Sequence, residues 1–169
     1  VRAVALLNRE FESPRYRLII VGAGSELDRL RSLAQELGAT NQIEFPGSTD
    51  SPEHWYGKFD IYVNCSFSEG MSNTVLEAMA CGLPVVASDV AGHRTWLDEG
   101  ENAVFFPSDD PDALAAALAS LDVPARHRIG AANRAKVVKN YSQATFIAAY
   151  RRLYTELLAA RGYSYRFDD

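Results

Sequence analysis

Residues 60–88 hold the arrangement that most narrows what this chain can become. Residues 60–65 form a short apolar run, 74–81 a helix-forming one, and 84–88 a second apolar run preceded by Gly82. Two strands separated by a helix cannot close as a hairpin. The chain must cross over, which makes the strands parallel and the crossover right-handed. The alternation extends both ways. Residues 17–21 (Arg-Leu-Ile-Ile-Val) read as a buried strand entering a turn at Gly22-Ala23-Gly24. Ser25 is expected to cap the next helix, with Asp28 three residues on and Leu27, Leu30, Leu33, Ala34 and Leu37 as its buried stripe. Gly38 ends that helix, a strand at 42–45 stops at Pro46-Gly47, and a short helix covers 52–57. Beyond residue 88 come a helical turn at 93–97 and a strand at 103–106. Helices follow at 111–121, 124–140 and 142–161, with Asp110 capping the first and Ser142 the last. The expectation is an α/β fold: one domain over residues 1–169, a Rossmann-like open parallel sheet flanked by helices, with extra C-terminal helices.

A chain of 169 residues can bury a proper core, and its net charge of −5 argues against a duplex-binding surface, so no nucleic-acid partner is expected. Cys65 and Cys81 sit in or beside apolar runs without metal-ligand spacing, which suggests reduced core thiols in a cytoplasmic protein. No apolar run approaches the roughly 20 residues that span a bilayer, and no signal peptide precedes the first element. Residues 1–11 read as an uncapped amphipathic helix with Val4, Leu7 and Phe11 on one face, as if the chain were a fragment beginning in mid-architecture. The tail at 163–169 reads as frayed or dependent on a partner.

Open parallel sheets bind ligands at the carboxyl ends of their strands. The polar and glycine-rich segments after Val21, Phe45, Cys65 and Ser88 all fall on that edge. The third of them carries Glu69 before a tight polar turn and Glu77 inside the helix that follows. A helix N-terminus offers unpaired N–H groups and a partial positive charge, so it is a natural seat for phosphate. The two carboxylates could then reach opposite ends of a ligand whose anionic middle rests on that terminus. Glu77, between Leu76 and Ala78-Met79-Ala80, is expected to be buried and to need hydroxyl donors. Ser72 or Asn73 could be a plain N-cap, and a capped terminus would still leave other N–H groups for an anion.

The remaining motifs carry less. Gly22-Ala23-Gly24-Ser25 lacks the third glycine of a dinucleotide fingerprint, Leu27 standing in its place, so an ordinary turn and a wall of a nucleotide pocket both stay open. The same holds for Phe45-Pro46-Gly47-Ser48. Asp110-Pro111-Asp112 is explained as a helix cap rather than a metal site, and His54, His93 and His127 lack ligand partners at metal spacing. No metal is expected. His93 lies on the binding edge, where ligand contact and a structural role remain equal alternatives. Arg126, Arg128, Arg134, Lys136 and Lys139 suggest a solvated helix face, with contact to an anionic membrane surface as the alternative.

The segment Glu69-Gly70-Met71-Ser72-Asn73-Thr74-Val75-Leu76-Glu77-Ala78-Met79-Ala80-Cys81-Gly82-Leu83-Pro84-Val85-Val86-Ala87 resembles the Glu-x7-Glu signature of the group 1 retaining glycosyltransferases. Similarity extends over roughly residues 17–121, through the turns at Gly22 and Gly47, Asp60, and the helix start at Asp110. The resemblance implies the C-terminal, donor-binding domain of an enzyme with two Rossmann-like domains facing across a cleft (the GT-B architecture). Glu77 would bind the ribose hydroxyls and Glu69 would be the catalytic group beside the donor sugar. Gly70, Met71, Ser72, Asn73, Thr74 and Val75 would present N–H groups to sugar and diphosphate, with Gly22, Gly24 and Gly47 lining the pocket. The implied substrate is a nucleoside-diphosphate sugar, UDP or GDP, with no other cofactor and no metal. The acceptor glycan, lipid or small molecule would be met through an N-terminal domain absent from this chain, in the cytoplasm or at the inner membrane surface. Departures are Thr95 where many members carry Glu, Ala103 where Gly is usual, and the absence of the Arg and Lys that grip the diphosphate upstream of the first helix. A nucleotide-sugar-binding scaffold without turnover is the alternative, and epimerase or phosphorylase chemistry a third reading.

Overall fold

A computed structural model describes residues 1–9 and 11–163; the tail expectation falls almost wholly on residues 164–169, outside the described residues. The elements in order are α1 (Arg2–Asn8), β1 (Leu18–Val21), α2 (Leu27–Glu36), β2 (Ile43–Gly47), α3 (Pro52–Tyr56), β3 (Tyr62–Asn64) and α4 (Asn73–Ala80). They continue with β4 (Val85–Ser88), α5 (Ala91–Arg94), β5 (Ala103–Phe106), α6 (Pro111–Ala119), α7 (Val123–Asn140) and α8 (Gln143–Ala160). This is the parallel α/β architecture expected, with three further helices at the end. Asp110 accepts from the Ala113 N–H and Ser142 from the Thr145 N–H, so both expected caps are made.

The sheet differs from expectation in one respect. β1 pairs only with β2, starting at Leu18 opposite Ile43. β3, β4 and β5 form a separate ladder, with Tyr62 opposite Val85 and Val85 opposite Ala103. Alternation of elements shows that strands are parallel; it carries no information about which neighbours share hydrogen bonds. Strand order runs from β1 to β2 in one piece and from β3 through β4 to β5 in the other. Helix α1 joins the pieces by apolar contact: Ala5 packs with Ala34, Ala39 and Ile43, while Leu7 packs on the cluster of Val86, Phe106, Ala117 and Leu118.

β4 is the centre of the core. Val85 and Ala87 face Val75 and Met79 of α4 together with Trp96 and Leu97, and Val86 faces Phe106, Ala117, Leu118, Leu121 and Ile129 on the other side. Strict alternation along one strand thereby separates two helical layers. The return from α4 to β4 is closed by Gly82, whose N–H donates to the Met79 carbonyl while Leu83 N–H reaches the Ala78 carbonyl. Helix α7 locks this corner, since the Asn133 amide donates to the Leu83 carbonyl at 2.8 Å.

Several local expectations are corrected. Ser25 does not cap α2, which starts at Leu27 behind Glu26 and has no side-chain cap. Of the expected stripe only Ala34 is fully buried, because the two-stranded piece beneath offers too little surface to cover four leucines. Helix α1 stops at Asn8, whose side chain ties down the Arg15 and Tyr16 N–H groups, and Phe11 lies beyond it. β2 runs through Pro46 to Gly47 because the pairing with β1 shifts between Ile19 and Val21. Cys65 and Cys81 are exposed, not core thiols: one follows the last residue of β3 and the other ends α4 on its outer face. Among the described residues, no helix is long and apolar enough to cross a membrane.

Candidate active site

The strand ends build the site in two parts. On the two-stranded part, the Gly22 N–H donates to the Gly47 carbonyl at 2.8 Å, joining the ends of β1 and β2. Both residues hold positive φ, 139° and 85°, conformations that glycine adopts without cost. Gly24 follows in the same exposed turn. The expected glycines therefore lie together. Among the described residues, no hydrogen bond links them to the 69–77 segment.

The three-stranded part holds Glu69. Its Oε1 accepts from the Ser66 hydroxyl at 2.8 Å and, more weakly, from the Asn64 amide at 3.4 Å. The Asn64 Oδ1 accepts in turn from the Ser66 N–H, so the end of β3 is a small closed network. Beneath it the Ser88 hydroxyl donates to the Ser66 carbonyl at 2.5 Å, and the Ser88 carbonyl lies 2.8 Å from His93 Nδ1. A carbonyl only accepts, so Nδ1 carries the proton there. His93 is fully buried, and that burial with the bond to Ser88 favours structural support of the loop over ligand contact; among the described residues its Nε2 has no partner. Gly92 touches the Glu69 backbone so closely that a Cβ would overlap the Glu69 carbonyl. A half-buried carboxylate is thus carried on a loop pinned by β4 and α5.

Helix α4 begins at the other end of that loop. Ser72 occupies the N-cap position without making a cap bond, its hydroxyl lying 3.1 Å from that of Thr74. Asn73, Thr74 and Val75 make no N–H hydrogen bond among the described residues. Three donors therefore stand open at the positive end of the helix. Met71, Asn73 and Thr74 are exposed beside them, as is Gly70, whereas Val75 is fully buried, so only its N–H could reach a ligand.

Glu77 is exposed, contrary to expectation. At 100° per residue it lies opposite Val75, Ala78 and Met79, which face the core, and shares the outer face with Asn73, Thr74 and Ala80. Its Oε2 accepts from the Tyr56 hydroxyl at 2.8 Å, and its Oε1 has no partner among the described residues. Tyr56 ends α3 with its ring buried against Ala78 and Leu83 and in edge contact with Phe59. Burial, followed by the hydrogen bond and the charge of Glu77, pushes the Tyr56 phenol far above its ordinary range, so it stays a donor.

Asp110 is occupied as a cap, as expected. Of the basic residues of α7, Arg128, Arg134 and Lys139 are exposed, as a solvated face requires, while the face also reaches back into the domain: Arg128 donates to the Gly100 carbonyl, Arg134 to the Ala80 carbonyl, and the half-buried Lys136 to Asp98 and Asn102. Arg126 lies 3.8 Å from Asp60. Sequence reasoning missed Tyr56, Ser66, Asn64 and Gly92. None of these left a local signal: Gly92 stands just before the helical turn expected at 93–97, where a glycine is ordinary, and only the structure places it inside the turn.

The family model described as Glycosyl transferases group 1 matches residues 1–122. A D-inositol 3-phosphate glycosyltransferase from Thermobispora bispora is 34% identical over 168 residues, covering 94% of this chain and 39% of that protein. The crystallised C-terminal domain of a group 1 family glycosyl transferase (LpcC) from Francisella tularensis superposes with a TM-score of 0.73 at 26% identity, covering 84% of this chain and 77% of that one. The pneumococcal O-GlcNAc transferase GtfA, solved with UDP and GlcNAc, gives a TM-score of 0.80 at 25% identity over 93% of this chain and 32% of its own. The chain spans between 32% and 42% of the first curated relatives it matches. It belongs to the group 1 glycosyl transferases, and its fold is that of the GT-B glycosyltransferases.

Proposed function

We propose that this group 1 glycosyl transferase chain is the C-terminal, donor-binding domain of an enzyme that moves a sugar from a nucleoside diphosphate to an acceptor hydroxyl with retention of configuration. One observation carries the reading: two carboxylates, Glu69 and Glu77, flank a helix N-terminus whose first N–H groups have no partner. The diphosphate rests on that terminus. Glu77 accepts from the ribose hydroxyls through its open oxygen, and the helix dipole stabilises charge on the departing diphosphate. Glu69, held by Ser66, stands beside the sugar as the catalytic carboxylate. UDP is the favoured nucleotide, as in the pneumococcal relative solved with it, and GDP is the alternative. No metal is required, because the helix terminus supplies the positive partner. The acceptor is a glycan, lipid or small molecule brought by an N-terminal domain, in the cytoplasm or at the inner membrane surface.

The domain alone binds nucleotide weakly and turns over little, since catalysis needs both walls of the cleft. UDP, GDP and ADP titrated into the chain while amide resonances are followed should perturb residues 69–77. If no nucleotide moves them, the assignment of the site is wrong.

A further inference from the structure

Tyr56 is absent from the sequence motif, yet it makes the one side-chain hydrogen bond found on Glu77 among the described residues. Its geometry is that of a support, not a bystander. The ring is wedged between α3 and α4, 7% exposed, against Ala78 and Leu83, with Phe59 edge-on at 6.2 Å and Tyr62 tilted at 5.9 Å. A phenol so enclosed has few orientations, so its hydroxyl is delivered to one place. That place is 2.8 Å from Glu77 Oε2 and 3.3 Å from the Thr74 carbonyl. One proton cannot serve both equally, and the charged carboxylate is the stronger acceptor.

An exposed glutamate on a helix ordinarily samples several rotamers, each ordered only at an entropic cost. With one oxygen tied, the Glu77 carboxylate is set before a ligand arrives. We infer that Tyr56 is a positioning residue for the nucleotide site: it holds Glu77 Oε2 so that Oε1 faces outward to accept from a vicinal diol. This rests on the proposed role of Glu77 as the ribose anchor. Tyr56 itself touches no ligand.

The inference can be separated from that role by comparing UDP with its 2′,3′-dideoxy analogue, which lacks the diol. In the full chain, Tyr56→Phe removes one hydroxyl and leaves the ring packing, and the exposed Glu77 regains its partner from water. The expected result is UDP binding weakened by up to about tenfold, the scale of ordering one glutamate side chain on binding, with binding of the dideoxy analogue unchanged. Equal weakening of both nucleotides would make Tyr56 a purely structural residue and overturn the inference. If Glu77→Gln weakens UDP selectively while Tyr56→Phe binds as the parent does, the ribose role stands and the inference fails. If Glu77→Gln itself leaves UDP binding untouched, the proposed role of Glu77 falls and the inference with it. A measurement on the unaltered chain needs no variant: the Tyr56 hydroxyl proton resonance should shift on adding UDP and not on adding the dideoxy analogue. A resonance indifferent to both, at saturating nucleotide, would also overturn it.

Discussion

β1 and β4 are both four-residue parallel strands ending at the candidate site, but they stand in different surroundings. Every residue of β4 is buried, between α4 on one face and α6 and α7 on the other, whereas every residue of β1 is only half-buried. The segments that follow differ in the same sense. The turn after β1 is glycine-rich, exposed and tied to its neighbour by the bond between Gly22 and Gly47, while the loop between β3 and α4 is braced by Ser66, Ser88 and the close approach of Gly92. In the proposed site, the loop carrying Glu69 leaves the edge strand β3 but is braced from below by β4 and α5, whereas the glycine turn after β1 has no comparable backing.

The largest test of that contrast is chemical. In the full-length enzyme, Glu69→Gln should lower sugar transfer by about 10²–10³-fold, as removal of a preorganised active-site group does. Gly24→Ala, at a position with ordinary φ and open space around it, should cost a small fraction of that. Equal losses in a transfer assay would erase the distinction between the two parts. The next test is thermodynamic: Met79→Ala, at a fully buried site under β4, should destabilise by about 2–5 kcal/mol in urea unfolding. Ile20→Ala in β1 should cost clearly less. Hydrogen exchange refines the same point, with amides of β4 opening only in global unfolding and those of β1 at lower free energy. The smallest effect concerns the exposed pair beside the site. A hydrogen bond from Arg94 holds the Asp89 carboxyl below its ordinary range. Its contribution is therefore present above the unfolded carboxyl value, near pH 4, and is lost as pH falls through the lower folded value. Asp89→Asn should remove that acid-limb contribution, a slight one for so exposed a pair, in thermal melts taken at neutral and acid pH.

Much of this was legible in the sequence because it follows from short-range chemistry. The strands at 84–88 and 103–106, the caps at Asp110 and Ser142 and the helix carrying Glu77 each depend on neighbours a few residues away. The failures share a different cause. Glu77 was expected to be buried because its sequence neighbours are apolar, yet helical geometry turns it away from Ala78 and Met79. Tyr56 and Ser88 lie 21 and 22 residues from the groups they bind, and no local pattern announces a bond across such a distance. The break between β1 and β3 is likewise a fact of pairing, invisible to periodicity.

Helix α8 is 18 residues long with none of them buried and with Phe146, Ile147, Tyr150, Leu153, Tyr154 and Leu157 exposed. An unsupported helix of that length in water lies close to its own melting point at ordinary temperature. Its order is then governed by mass action: far-ultraviolet ellipticity should climb with chain concentration and with anything that masks those rings. For α8, helicity is a reading of the company the chain keeps.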